Sequence, residues 1–402
     1  LKSLTLPASP ESRATPPRKV DFYRHPLDRA DAAGVADVLA SPFLTSGRVA
    51  AAVERQLCDY FDVPYALLSN SWTNGALAVL LALGVGPDDE VIVPAMTFVA
   101  SANIVELVGA TTVFVDVDPA TLLMTPQAAA AAVTPRTRAV IPVHLYGRMV
   151  DIAALRTALD ARAAPGQHIA IVEDCAHCFE GRLGSDRPGR HSDAAVFSFY
   201  ATKNVTCGEG GAMIFSSRSL FEASRETRLH GMSALAIERF AGGGYNHWDM
   251  ARLGVKANLP DLLAALLPSQ IASIDERLAL REALAGTYTG AFAGTGIRLP
   301  QAIANCTSTW HLFAIGVTGG RRDEAIGALN EAGISVTVNF RAPPTLTYYR
   351  QKYPGAAGQC PEAVRWGEET LSLPFHPGLT GEDQTYVIDT VLARVVPLCA
   401  RT

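Results

Sequence analysis

The chain has 402 residues, 49% hydrophobic and 18% charged, with 34 Lys and Arg against 39 Asp and Glu for a formal charge of −5. That balance offers no basic face for nucleic acid or anionic lipid, and so apolar a composition implies a large buried core, which excludes a disordered chain. Seven scattered cysteines point to a reduced, cytoplasmic protein, and no apolar run approaches the roughly 18 residues of a membrane span.

Residues 1–20 contain Pro and Ser but no apolar core, and read as a flexible N-terminal arm. Beyond them, short apolar runs alternate with amphipathic or Ala-rich stretches. Residues 66–68, 91–93, 112–115, 139–143, 169–172, 194–199 and 212–215 read as buried strands; 75–83, 101–107, 151–159 and 220–229 read as helices. Val- and Ile-rich strands separated by helices imply an α/β domain around a mainly parallel sheet. Gly242-Gly243-Gly244 marks a flexible connection. From Asp261 a long helix is expected to about residue 285, with a break at Pro268, and mixed strand and helix signals follow. The expected organisation is a large domain over 21–255, then an interdomain helix and a smaller C-terminal α/β domain over 256–402.

Three segments could carry chemistry. Ser69-Asn70-Ser71-Trp72-Thr73-Asn74-Gly75 ends a strand and opens a helix, where free N–H groups and hydroxyls make either a phosphate cup or an ordinary N-cap. Glu173-Asp174-Cys175-Ala176-His177 ends another strand and puts Asp174 at the carboxyl edge of the sheet, where α/β folds hold ligands. Neighbouring strand residues face opposite ways, so Glu173 and Asp174 should not share a role. Cys175 and Cys178 have a C-x-x-C spacing, but no second Cys or His pair follows at finger spacing, so buried filler is the simpler account. Finally Lys203 follows a buried strand and precedes Gly208-Glu209-Gly210-Gly211. Burial there would lower its pKa and make the amine nucleophilic toward carbonyls. An anion cup, an acid and a lysine, each at a strand end of one sheet, meet the needs of pyridoxal phosphate (PLP): a phosphate site, a partner for the pyridine nitrogen and an amine for a Schiff base.

From about residue 43 to 391 the sequence also resembles the PLP-dependent nucleotide-sugar aminotransferases of the DegT type, with an aspartate-aminotransferase-like fold (PLP fold type I). The matching segments include Leu44-Thr45-Ser46-Gly47, residues 86–98, Phe114-Val115-Asp116-Val117-Asp118-Pro119 and Val143-His144-Leu145-Tyr146-Gly147. Glu173-Asp174-Cys175-Ala176-His177, residues 371–379 and above all Ser198-Phe199-Tyr200-Ala201-Thr202-Lys203-Asn204 complete the set. The resemblance implies that Lys203 is the Schiff-base lysine, Asp174 the acid under the pyridine nitrogen, and His177 a neighbour of the phenolic oxygen. It puts Phe98 on the ring face and Trp72, Thr73 and Ser198 at the phosphate. Lys256, and with it Asn258, aligns with the segment that a neighbouring subunit contributes, so a homodimer with shared active sites is implied. Trp72 stands where the family has a small residue, which implies a cup that is narrower or shaped for another sugar. Asn339-Phe340-Arg341 replaces the usual His-Tyr-Pro near the sugar.

The implied reaction moves an amino group from L-glutamate to a nucleotide-linked keto-deoxyhexose, with Lys203 as general base. Amination of dTDP-4-keto-6-deoxyglucose at C-4 is the concrete expectation. The alternatives are amination of a 3-keto sugar nucleotide at C-3 and a non-catalytic PLP-binding regulator. A nicotinamide enzyme is disfavoured because no G-x-G-x-x-G follows an early strand.

Overall fold

Seven of the apolar runs pair into one sheet. In this computed structural model, which describes residues 18–233 and 247–399, the strands run in chain order β1 (Tyr65–Ser69), β2 (Glu90–Pro94), β3 (Thr111–Val115), β4 (Thr137–Val140) and β5 (Ala170–Asp174). A short β6 (Arg182–Leu183), then β7 (Ala194–Ser198) and β8 (Gly211–Phe215) follow. All but β6 join the sheet, in the order β1-β8-β7-β5-β4-β2-β3. Strand β8 is antiparallel to both neighbours and the other pairs are parallel, so the sheet is mixed and mainly parallel. Such strands need cover on both faces, and β2, β5 and β8 are buried along their whole length.

The helices that supply the cover are α1 (Arg29–Leu39), α2 (Arg48–Phe61), α3 (Trp72–Ala82), α4 (Ala100–Leu107), α5 (Pro126–Ala131), α6 (Ile152–Asp160) and α7 (Arg218–Thr227). Successive strand residues serve opposite faces. Leu67 packs with Val79 of α3, Ile104 of α4 and Leu220 of α7, whereas its neighbours Ala66 and Leu68 pack with Val53, Leu57 and Phe61 of α2. Each such fully buried Leu or Phe contributes about 1.5–3 kcal/mol. Helix α2 starts at Gly47, which has no side chain to cap it. Asp261 caps it from 214 residues away, accepting the Gly47 and Ala50 N–H groups on Oδ1 at 2.8 and 2.9 Å.

The long helix expected from Asp261 is three: α8 (Asp261–Ala264), α9 (Pro268–Ala272) and α10 (Ile274–Phe292). Proline ends one helix and suits the first turn of the next, and α10 runs past the expected limit. Beyond it come β9 (Cys306–Thr307), paired with β6, then β10 (Phe313–Gly316), α11 (Arg322–Glu331) and β11 (Thr370–Leu373), which pairs with β10. Tyr288, Phe292, Phe313, Leu371 and Phe375 build a separate apolar cluster here. Val20 belongs to that cluster and exchanges backbone bonds with Gly333 and Ser335 at 2.9 and 3.0 Å. Residues 18–20, expected as the end of a loose arm, are therefore held. Residues 1–17 and the glycine run at 242–244 lie outside the described residues. Among the described residues no helix is long and apolar enough to cross a membrane.

Candidate active site

Strand direction brings several chain ends to one edge of the sheet. Ser69, Gly211 and Ser198 are register partners across β1, β8 and β7. Asp174 ends β5 beside them, and β2 leads through Pro94 to Thr97 and Phe98. This edge opens into a cavity of about 600 Å³ whose wall includes Trp72, Thr73, Phe98, Asp174, His177, Ser198 and Lys203. Seven of the nine residues expected at the site thus meet around one space. Lys256 and Asn258 are not on its wall.

The cup is the N-terminus of α3. Ser71 caps it, accepting Asn74 N–H at 3.1 Å, while the N–H groups of Trp72 and Thr73 have no intrahelical acceptor. The capping reading is therefore met by one hydroxyl, and the first two N–H groups of the helix are left without a partner within it. Gly211 permits the tight approach, since a Cβ there would lie 2.8 Å from Ser71 C and Trp72 N. The expectation that Trp72 narrows the cup is corrected. Its side chain is buried among Leu67, Val196 and Met213, and its indole donates to Val196 O at 3.1 Å.

Asp174 is buried, accepts Ser101 Oγ–H on Oδ2 at 2.8 Å and Ala176 N–H on Oδ1 at 3.0 Å, and faces away from Glu173. Burial pushes its pKa up, opposed by those two hydrogen bonds and by the charge of Lys203. Glu173 instead bonds His144 at 2.7 Å and Gly189 N–H at 2.7 Å, a structural pair behind the sheet edge. Lys203 is half-buried on the cavity wall. Burial lowers its amine to about 8, against the pull of Asp174. His177 is buried and held well below the usual imidazole pKa by burial and by Lys203. Its Nδ1 accepts Tyr146 N–H at 3.2 Å, so the neutral ring carries its proton on Nε2. Phe98 is 53% exposed and meets Phe340 at 5.3 Å between ring centres. Ser198 Oγ accepts Tyr200 N–H at 3.3 Å.

Lys256 Nζ donates to Asn258 Oδ1 at 2.6 Å, and Asn258 Nδ2 to Ser46 Oγ at 2.6 Å. The segment runs beside the cup, with Ala257 O accepting Asn70 N–H at 2.7 Å. Cys175 and Cys178 are free thiols buried in the interior, where burial raises both well above the usual thiol pKa. A smaller cavity of about 180 Å³ lies beyond Tyr146 and contains Arg148; none of the expected site residues lines it.

Several wall residues were not anticipated. Ser101, which supports Asp174 and pairs with Thr97 at 2.8 Å, sits one turn past the matched 86–98 segment. His311 lies in Thr309-Trp310-His311, an irregular stretch with no periodicity to mark it. Thr337, Asn339 and Phe340 also line the cavity; only the last two had been singled out.

A model of the DegT/DnrJ/EryC1/StrS aminotransferase family matches residues 26–392. Spr1654 of Streptococcus pneumoniae, described as a sugar aminotransferase and solved in its PMP form, superposes with a TM-score of 0.88 at 29% identity, over 94% of this chain and 100% of its own. DesV of S. venezuelae, solved in complex with a ketimine intermediate, gives 0.83 at 33% identity over 93% and 98%. The sugar aminotransferase CalS13 from Micromonospora echinospora gives 0.84 at 26% over 93% and 99%. Spr1654 has also been solved in a PLP form, at 0.87 and 28% over 95% and 100%. This chain shares their aspartate-aminotransferase-like fold, PLP fold type I.

Proposed function

The chain belongs to the DegT/DnrJ/EryC1/StrS aminotransferase family, and from that premise we propose that it uses PLP to transfer an amino group from L-glutamate to a nucleotide-linked keto-deoxyhexose. The observation that carries this reading is the meeting of the α3 tip, Asp174 and Lys203 on one cavity wall. The donor set fits the cofactor. The Trp72 and Thr73 N–H groups with Ser198 Oγ suit a phosphate, buried Asp174 suits a protonated ring nitrogen, and Phe98 and His177 supply flanking rings. At about 600 Å³ the cavity is within the roughly 300–1,000 Å³ of small-molecule sites and leaves room beside the cofactor.

When bound, the cofactor supplies an aldehyde that carries the amino group and a ring that withdraws electrons from the adjacent carbon. The protein's own groups do the rest. Lys203, near pKa 8, is neutral often enough at physiological pH to take a proton from the substrate carbon and return it; general-base catalysis of this kind gives roughly 10²–10⁴-fold. Asp174, fixed by Ser101 and Ala176, holds the proton of the ring nitrogen in place. His177 keeps its proton on Nε2 and tunes the phenolic oxygen without carrying protons itself. Lys256 and Asn258 complete the phosphate site of a partner subunit in a homodimer.

The acceptor is dTDP-4-keto-6-deoxyglucose, aminated at C-4 to the 4-amino-4,6-dideoxy sugar. Incubation of the full chain with PLP, L-glutamate and that sugar should release 2-oxoglutarate and the 4-amino product, read by mass spectrometry. Turnover of the 3-keto isomer alone would overturn the C-4 assignment, and bound PLP without any 2-oxoglutarate would favour a regulator.

A further inference from the structure

A chain of buried polar groups leads from Lys203 into the protein, and the roles above leave it unused. Lys203 Nζ lies 3.4 Å from Nε2 of buried His311. His311 Nδ1 lies 3.3 Å from Asn204 Oδ1. Asn204 Nδ2 donates to Glu180 Oε1 at 2.9 Å and to Thr309 O at 3.1 Å. Behind it, buried Glu180 pairs with Arg281, whose Nε donates to the same Thr309 carbonyl at 2.9 Å.

Hydrogen-bond accounting fixes where the protons are. A backbone carbonyl only accepts, so the Asn204 atom facing Thr309 O is its amide nitrogen and the amide has one possible orientation. Its oxygen then faces His311, and an acceptor there requires a proton on Nδ1. Burial and the charges of Lys203 and Arg281 hold His311 well below the usual imidazole pKa, so the ring is neutral. A neutral imidazole protonated on Nδ1 has a bare lone pair on Nε2. That lone pair faces the lysine amine.

We propose that His311, locked in this tautomer by Asn204, is a positioning residue that accepts a hydrogen bond from Lys203 Nζ and aims the amine into the cavity. The proposal rests on the assignment of Lys203 as the reacting amine. At 3.4 Å the contact is at the long end of the hydrogen-bond range. Among the described residues, no other side chain is within hydrogen-bond reach of Nζ. The other charged and titratable groups around the pair are Asp174 and His177 at the sheet edge, Tyr200 and Glu209 on the same cavity wall, Glu180, Arg277 and Arg281 towards α10, and Tyr23 and His376 from flanking segments. An acceptor favours the ammonium form, so His311 offsets part of the lowering that burial imposes on Lys203.

The test follows the Lys203 amine in the full chain after hydroxylamine has removed bound carbonyl compounds. The pH dependence of its trace acetylation is read by mass spectrometry. His311→Leu should lower the midpoint by about one pH unit, a tenfold loss of proton affinity. His311→Gln keeps an acceptor and should stay within about 0.3 units of the native chain, while Asn204→Leu releases the tautomer and falls between the two. A native midpoint in folded His311→Leu overturns the proposal, as does an equal shift in the Leu and Gln variants. Should His311→Leu fail to fold, a native midpoint in Asn204→Leu overturns it. This readout needs no cofactor, whereas failure of the Lys203 assignment would appear separately, as a missing phosphopyridoxyl label after reduction.

Discussion

An ammonium on a half-buried cavity wall is poorly hydrated, and Lys203 shows the consequence. Its folded pKa is about 8 against 10.5 for the ordinary amine. Between those values the unfolded chain keeps a proton that the folded chain has released, so this group's contribution to stability rises with pH across that window and is a penalty below about 8. Lys203→Met should therefore stabilise the cofactor-free protein at pH 7 by about 1–3 kcal/mol, with the gain gone by about pH 10.5. Thermal unfolding at the two pH values checks this, and a gain equal at both would trace it to packing. Asp174→Asn should leave the fold intact and lower amination by about 10²–10³-fold, because the proton on the ring nitrogen loses its charged partner; steady-state kinetics measures it. Lys203, Asp174 and His177 were legible because each follows an apolar strand within a recognisable run. Ser101 and His311 were not, because what brings them to the site is contact with residues distant in sequence, Asp174 for one and Lys203 for the other.

Helix ends and close approaches decide how the cup is built. Asp261→Ala removes the acceptor for the first turn of α2 and should cost about 1–2 kcal/mol in chemical denaturation, with no effect on the cavity wall. Gly211→Ala would drive a Cβ to 2.8 Å from the Ser71 and Trp72 backbone. It should cost about 1–3 kcal/mol and weaken binding of PLP, read from the concentration dependence of its absorbance. Runs such as Val91-Ile92-Val93 gave the strands away through composition, since parallel strands are buried on both faces. The reversed direction of β8 was hidden: a buried strand is equally apolar whichever way it runs. The division of the segment after Asp261 was half visible, Pro268 marking one break while nothing in the run around Ser273 marked the second.

A single chain supplies a cavity that contains neither Lys256 nor Asn258. It also exposes Phe43 at 62%, Leu44 at 51% and Leu253 at 77%, apolar side chains of the kind a subunit interface covers. The proposed homodimer uses both features. Mixing Lys203→Ala chains with Lys256→Ala chains should restore activity to about a quarter of native, because half the random dimers are hybrids and each hybrid has one intact site. No recovery after verified subunit exchange would place Lys256 outside the shared site. The proposed association of chains rests on the resemblance at Lys256 and Asn258 alone, since a sequence records which residues are apolar but not which remain uncovered after folding. The proposed function depends on a bond between the Lys203 amine and the cofactor aldehyde. Borohydride reduction of the PLP-loaded chain, followed by peptide mass mapping, should leave a phosphopyridoxyl group on Lys203 and none on the Lys203→Ala variant. A loaded chain with no label on Lys203, or with the label on another lysine, would contradict it.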